Sequence, residues 1–103
     1  MSAGVKGYLD PVVLAVLSAG PLHGYAVIEE LKARSGGELD LPEGTVYPAL
    51  HRLERRGLLK SAWSKADGRR RRVYRLTASG RRELEARTQE WRTFARVVDG
   101  VLA

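Results

Sequence analysis

The hydrophobic positions of the first third of the chain predict two helices. Asp10 and Pro11 have the residue types of an N-cap and a first helical position, and the run from there to residue 18 is apolar on all sides. This pattern predicts a buried first helix. Residues 25–34 place apolar and charged side chains on opposite sides, which predicts an amphipathic second helix. Ser35-Gly36-Gly37 ends it with the chemistry of a C-terminal turn.

A third helix is predicted over about residues 42–56, and Gly57 ends it. Its buried stripe has helical spacing and consists of Val46, Ala49, Leu50 and Leu53. The opposite side mixes small, aromatic and cationic residues. Pro48 lies inside this pattern, and an interior proline costs about 3 kcal/mol because it removes one helical hydrogen bond. Either the regular helix starts near Thr45, or Pro48 bends its first half.

Residues 58–65 and 69–76 alternate between apolar and polar and predict two strands. Ala66-Asp67-Gly68 separates them, and an Asp-Gly pair between two such runs is a strong signal for a β-hairpin. Four consecutive arginines, Arg69 to Arg72, then occupy the tip and the start of the returning strand. Their mutual repulsion is tolerable at an exposed tip in water, and it becomes favourable only against an anion.

The tail predicts a fourth helix with Thr77 as a plausible N-cap. Its apolar residues recur at alternating spacings of four and three, which is a heptad seam formed by Leu84, Thr88, Trp91, Ala95, Val98 and Leu102. Phe94, Val97 and Val101 widen the seam. A monomer of this size has little left to cover so broad a stripe. The seam therefore predicts a second copy of the chain as its partner.

Composition narrows the function to a polyanion-binding domain. The chain has 103 residues, which fits one domain, and a formal net charge of +6. Twelve of its 18 Lys and Arg residues, but only two of its 12 acids, lie between residues 51 and 82. Charge concentrated in this way indicates a polyanion partner. The alternative is a basic surface that only aids solubility.

Other function classes lose support from the same composition. No cysteine and only two histidines argue against a metal centre, and no nucleophile motif or reacting pair indicates an enzyme or a cofactor. His23 is interpreted as a structural loop residue. The longest apolar run, residues 11–17, is far shorter than the roughly 20 residues that span a bilayer, and no signal peptide is recognisable. The expected location is the cytoplasm, without membrane contact.

Three helices followed by a hairpin is the order of a winged helix–turn–helix, in which the third helix enters the major groove of DNA. Three stretches, PLHGYAVIEEL, EGTVYPALHRLERRGLL and DGRRRRVYRLTASG, resemble the PadR family of bacterial transcriptional regulators over about residues 7–91. The short tail resembles its smaller class, which has a single C-terminal helix. The expected fold is mainly α with a small β-hairpin. Residues 1–76 form the winged helix–turn–helix and residues 77–103 the dimerisation helix, in one compact unit.

The resemblance implies a homodimeric repressor that binds duplex DNA, and a symmetric dimer is expected to bind an inverted-repeat operator. The implied contacts of the third helix are Thr45, Tyr47, Pro48, His51, Arg52 and Arg55. Those of the hairpin, or wing, are Lys65, Arg69, Arg70, Arg71 and Arg72. The expected dimer interface consists of Tyr8, Leu9, Leu84, Trp91, Phe94, Ala95, Val98 and Leu102. Trp91 and Phe94 are also the candidate contacts of a planar aromatic effector.

Structural roles remain open for several of these residues. Tyr47 can support helix packing, Trp91 can serve dimer packing alone, and Arg52 and Arg56 can simply solvate their helix. Two other functions also remain open. An RNA-binding winged helix would share the basic face but would bind duplex DNA no better than structured RNA. A winged-helix protein adaptor would need an apolar or acidic docking face in place of the basic one.

Overall fold

The computed structural model of this protein describes residues 2–103, and the side chains of these residues except 2–6 and Ala66. Its elements in chain order are α1 (Ser2–Leu17), β1 (Leu22–His23), α2 (Gly24–Arg34), α3 (Glu43–Arg55), β2 (Leu59–Ala66), β3 (Arg69–Leu76) and α4 (Ala78–Leu102). The predicted class is confirmed: the chain is mainly helical with a small antiparallel sheet. The sheet has the strand order β1-β3-β2. β1 is a third strand that the sequence did not predict.

The core lies between α1, α2, α3 and the base of the sheet. The predicted stripe of α3 is fully buried and packs with side chains of the other elements, among them Leu14, Leu17, Val27, Leu59 and Tyr74. Burial of each large apolar side chain contributes about 1.5–3 kcal/mol. This core fixes the direction of α3 relative to the hairpin.

The first helix begins earlier than the sequence predicted. α1 starts at Ser2, so Asp10 is not an N-cap and Pro11 lies inside the helix. Pro11 forgoes one backbone hydrogen bond there. The Asp10 carboxylate instead accepts a hydrogen bond from Arg52 Nη2 of α3 at 2.6 Å. A capping rule considers neighbouring residues only, so it could not foresee a partner 42 positions away.

The hairpin forms where the Asp-Gly pair predicted it. Asp67 and Gly68 have φ angles of 53° and 75°, and positive values at both central residues are those of a type I′ turn. The register places Ser61 opposite Tyr74, Trp63 opposite Arg72, and Lys65 opposite Arg70. Opposing residues share a face of the sheet. On this face Tyr74 is buried in the core, and Arg72 and Arg70 lie farther out toward the tip of the hairpin.

α4 is attached to the sheet by a close backbone approach. Thr77 caps the helix as predicted, because its Oγ1 accepts a hydrogen bond from the Gly80 amide at 3.0 Å. Gly80 is buried, and a Cβ at this position would lie 2.1 Å from the carbonyl oxygen of Leu58. Only glycine permits this crossing without a backbone shift. The helix has 25 residues in all and packs along α1, within a molecule 54 × 28 × 20 Å in extent.

Among the helices of residues 2–103, none combines the length and the apolar character that crossing a membrane requires.

Candidate nucleic-acid interface and helix groove

One side of α3 is exposed and carries cations. α3 spans Glu43–Arg55, so it begins before Thr45. Pro48 lies inside the helix, on its exposed side. His51 and Arg55, one turn apart, are also exposed, and neither forms a hydrogen bond or an ion pair with another described side chain. Thr45 is half-buried in the first turn of the same helix. His51 and Arg55 can therefore reach an external ligand without first breaking an internal contact.

Tyr47 lies against α2. A Cβ built on Gly24 would come within 2.5 Å of the Tyr47 ring, so the half-buried ring fills the space that glycine leaves. Burial raises the pKa of the Tyr47 hydroxyl above its ordinary value, and the charge of Glu43 raises it further. The geometry therefore favours helix packing as the role of Tyr47, which was the open alternative to a DNA contact.

Arg52 and Arg56 are held by acids of other helices. The 2.6 Å contact between Arg52 and Asp10 directs the Arg52 guanidinium toward α1. Arg56 lies 3.6 Å from the same carboxylate and 3.5 Å from Glu83 of α4. These two arginines connect α3 to α1 and α4, and both side chains remain partly exposed to solvent. The predicted DNA contact through Arg52 therefore competes with an existing ion pair.

The strand alternation divides the four wing arginines between two faces. Arg70 and Arg72 share a face with Trp63, and Arg69 and Arg71 lie on the other. Arg71 Nη1 is 3.4 Å from His23 Nε2, which gives His23 a structural role at the edge of the sheet. Arg69 is exposed at the tip. Lys65 stands opposite Arg70 and adds to the face of Trp63, while Arg69 and Arg71 make the other face positive as well.

The face that carries Trp63 is joined to α3. Arg72 Nε donates to Ser61 Oγ at 2.8 Å, and Ser61 Oγ donates to Glu54 Oε2 at 2.5 Å. Arg72 Nη2 is also 3.7 Å from the Glu54 carboxylate. Glu54 belongs to α3, so this small network fixes the position of the wing relative to the exposed side of that helix. The structure brings the two predicted contact regions together in this way.

The heptad seam of α4 is largely exposed. Trp91, Phe94, Val97, Val101 and Leu102 all face solvent, and Val101 is 81% exposed. Ala95 and Val98 are half-buried on the same helix. An apolar stripe of this length on one helix is typical of a protein–protein contact.

Two members of the predicted interface contribute to the chain's own packing. Leu9 is only 8% exposed and belongs to the core, so its prediction as an interface residue is corrected. Leu84 is partly buried against the core. The side of α1 that carries Leu9 therefore faces inward.

A groove of about 570 Å³ separates α1 from α4. Its lining is mostly apolar: Tyr8, Pro11, Val12 and Ala15 from α1, and Leu84, Thr88, Trp91 and Phe94 from α4. Trp91 meets Tyr8 edge to face at a ring-centroid distance of 4.7 Å, and Phe94 lies 6.4 Å from Trp91. The groove therefore offers aromatic faces within a volume that suits a small molecule.

An ion-pair chain runs from this groove to α3. Arg87 lines the groove and lies 3.5 Å from both Glu83 and Glu90. Glu83 in turn is 3.5 Å from Arg56, which directly follows α3 and lies 3.6 Å from Asp10. The sequence alone did not predict this chain, because the pairs that join Arg56 to Glu83 and to Asp10 are remote along the sequence and carry no motif. Among the described residues, no group of three His, Asp or Glu side chains is arranged to hold a metal ion.

Comparison with known proteins agrees with this architecture. Residues 13–86 match the PadR-like family of transcriptional regulators. Transcriptional regulator Rv3488 of Mycobacterium tuberculosis is 44% identical over 79 residues, covering 77% of this chain and 71% of the relative. A transcriptional regulator of Clostridium thermocellum superposes with a TM-score of 0.86 at 28% identity, over 94% of this chain and 95% of the other. A PadR family transcription regulator of Clostridium difficile gives 0.82 at 36% identity, over 93% and 99%. The chain therefore belongs to the PadR-like family, whose members are transcriptional regulators and not enzymes.

Proposed function

We propose that this protein is a homodimeric repressor that binds duplex DNA through α3 and the wing. One observation carries the proposal: Glu54 connects α3, whose exposed side carries His51 and Arg55, to the wing with its four arginines. In a winged helix these two elements meet the major groove and the adjacent backbone. Repression is the mode of regulation that the family resemblance implies.

The heptad seam supports a symmetric dimer. Its exposed apolar side chains are continuous along α4, and a second α4 offers a stripe of the same chemistry and length. Two-fold symmetry then presents two copies of α3 to the same face of the duplex. The expected operator, meaning the duplex sequence that the protein selects from a random pool, is an inverted repeat.

Competition between duplex DNA and structured RNA tests the proposal against the RNA-binding alternative. Both competitors are added at the same ionic strength to a complex of the protein with labelled operator, because phosphate contacts make all such affinities depend on salt. Preferential displacement by unlabelled operator supports the proposal. Equal displacement by structured RNA contradicts it. If the protein binds neither duplex DNA nor structured RNA, the result favours the adaptor function.

Replacing His51 or Arg55 with alanine is expected to reduce discrimination between operator and random duplexes. Removing a side chain that bonds to a base in the major groove costs on the order of 1–3 kcal/mol on the operator alone. Affinities for both duplexes, measured by fluorescence anisotropy at fixed salt, give this discrimination directly. Arg96→Ala is the matched control, since Arg96 is an exposed cation on α4, away from α3. Equal reductions in affinity for both duplexes would assign the residue to backbone contacts.

The groove supports a planar aromatic ligand as effector. Such a ligand can stack on Trp91 and Phe94, and the ion pairs of Arg87 and Glu83 offer a physical link from the groove to α3. Linkage between two sites is reciprocal and typically amounts to about 1–3 kcal/mol, so the ligand should weaken operator binding about 5- to 150-fold.

Trp91→Ala is expected to abolish this response. A planar aromatic cation or phenol is titrated while tryptophan fluorescence and operator binding are followed. The wild type should show quenching and operator release together, and the variant neither. Unchanged ligand affinity and unchanged release in the variant would leave Trp91 with dimer packing as its role.

A further inference from the structure

Trp63 is an exposed aromatic residue that the core does not use. It lies on β2 near the tip of the wing and is 57% exposed. The register places it opposite Arg72, on the face of the sheet that is joined to α3. A large apolar ring in water has no stabilising role by itself. Its neighbours therefore decide what it does.

Two guanidinium groups lie over the Trp63 ring. The guanidinium carbon of Arg70 is 4.7 Å from the ring centroid, and that of Arg72 is 5.5 Å away. Both distances fall within the roughly 6 Å range of a cation–π contact, and tryptophan gives the strongest such contact among the aromatic residues. The ring thus gathers two like charges that would otherwise repel each other.

This cluster has a fixed orientation because α3 anchors one of its members. Arg72 donates to Ser61 and lies beside Glu54, so the stack cannot rotate away from α3 without breaking those interactions. A guanidinium that lies face-on to a ring keeps the N–H groups at its edge free. Arg70 can therefore donate to phosphate oxygens while the stack persists. So can the N–H groups of Arg72 that do not face Ser61 or Glu54.

We propose that Trp63 is a positioning residue of the DNA interface, which holds the guanidinium groups of Arg70 and Arg72 on the α3-facing side of the wing before DNA arrives. The inference rests on the proposed function. A free arginine side chain loses much rotamer freedom when it binds a phosphate, and a side chain already held in place loses less. Trp63 therefore increases affinity for every duplex without contacting a base itself.

Replacing Trp63 with leucine or phenylalanine separates the contribution of its π face to DNA affinity from the contribution of its size. Trp63→Leu retains an apolar side chain but removes the π face, and it should weaken binding to all duplexes about 5- to 30-fold, because the arginine side chains that the ring no longer holds must be ordered when DNA binds. Trp63→Phe should recover part of this affinity, because phenylalanine has a weaker but similar face. Equal affinities of wild type and Trp63→Leu would overturn the proposal.

A double-mutant cycle tests whether Trp63 acts through arginine. Arg70→Ala should weaken binding less in the Trp63→Leu background than in the wild type, because the pre-positioning is already absent there. Arg69 lies on the other face of the hairpin, so Arg69→Ala is the matched control and should have the same effect in both backgrounds. Additive effects of Trp63→Leu and Arg70→Ala would contradict a positioning role, even if each variant alone binds weakly.

The same contact is measurable without DNA. Protons of the Arg70 side chain that lie over the indole should show upfield ring-current shifts in NMR spectra of the free protein, and Trp63→Leu should remove them. If the wild type lacks these shifts, the positioning role of Trp63 is overturned and the proposed function is unaffected. A wild type that shows the shifts but binds no duplex overturns the proposed function, and with it the role of Trp63 in DNA binding.

Discussion

Val98→Asp is expected to convert the protein into a monomer that no longer binds its operator tightly. Val98 is a half-buried seam residue of α4. In a symmetric dimer the substitution places one carboxylate from each subunit in the apolar contact, and each unpaired buried charge costs several kcal/mol. The dissociation constant of the dimer should therefore rise about 1,000-fold or more. Operator binding should fall with it, because a monomer contacts only one half-site.

Sedimentation velocity measures the first effect and fluorescence anisotropy with labelled operator the second. Thr93→Asp is the matched control, since Thr93 is an exposed residue on the side of α4 opposite the seam and acquires the same charge. It should remain dimeric and bind normally. A wild type that sediments as a monomer at micromolar concentration and still binds operator tightly would contradict the dimer.

Replacing Arg69, Arg70, Arg71 and Arg72 together with alanine is expected to weaken binding to every duplex, on the order of 100-fold or more at moderate salt. The slope of log affinity against log salt should decrease by about 0.9 for each phosphate group that the protein no longer neutralises. Operator and random DNA should be affected alike, because phosphate contacts carry no sequence information.

The Arg92→Ala, Arg96→Ala double variant is the control for a general change in charge, since both residues are exposed on α4. The slope of log affinity against log salt should change little in this double variant. Circular dichroism verifies that the quadruple variant stays folded, which matters because Arg72 also bonds to Ser61. An unchanged slope in a folded quadruple variant would show that the wing arginines do not contact DNA.

Local patterns were sufficient to predict most of the fold. The buried stripe of α3, the Asp67-Gly68 turn and the Thr77 cap each depend on neighbouring residues, and the structure confirms them. β1 was missed because two residues are too few to show alternation, and its pairing with β3 depends on tertiary contacts. The predicted start of α1 was wrong because Asp10 and Pro11 have the residue types of a helix start, whereas the helix begins at Ser2.

The candidate site was predictable in its regions but not in its internal contacts. Residue type and spacing placed His51 and Arg55 on the exposed side of the third helix and the arginines on the wing. The ion pair of Arg52 with Asp10, and the stack of Arg70 on Trp63, join residues from different elements. Such contacts depend on packing angles and strand register, which no single segment of sequence specifies.

Selection of bound duplexes from a random pool by the purified protein tests the central claim most directly. A dimer that inserts one α3 from each subunit should enrich an inverted repeat, with half-site centres about 10 base pairs apart or a multiple of that distance. The selected duplex should bind one dimer and should bind more weakly when either half-site is scrambled. Enrichment of no sequence, or of a single unrepeated site that a monomer binds, would contradict a symmetric DNA-binding regulator.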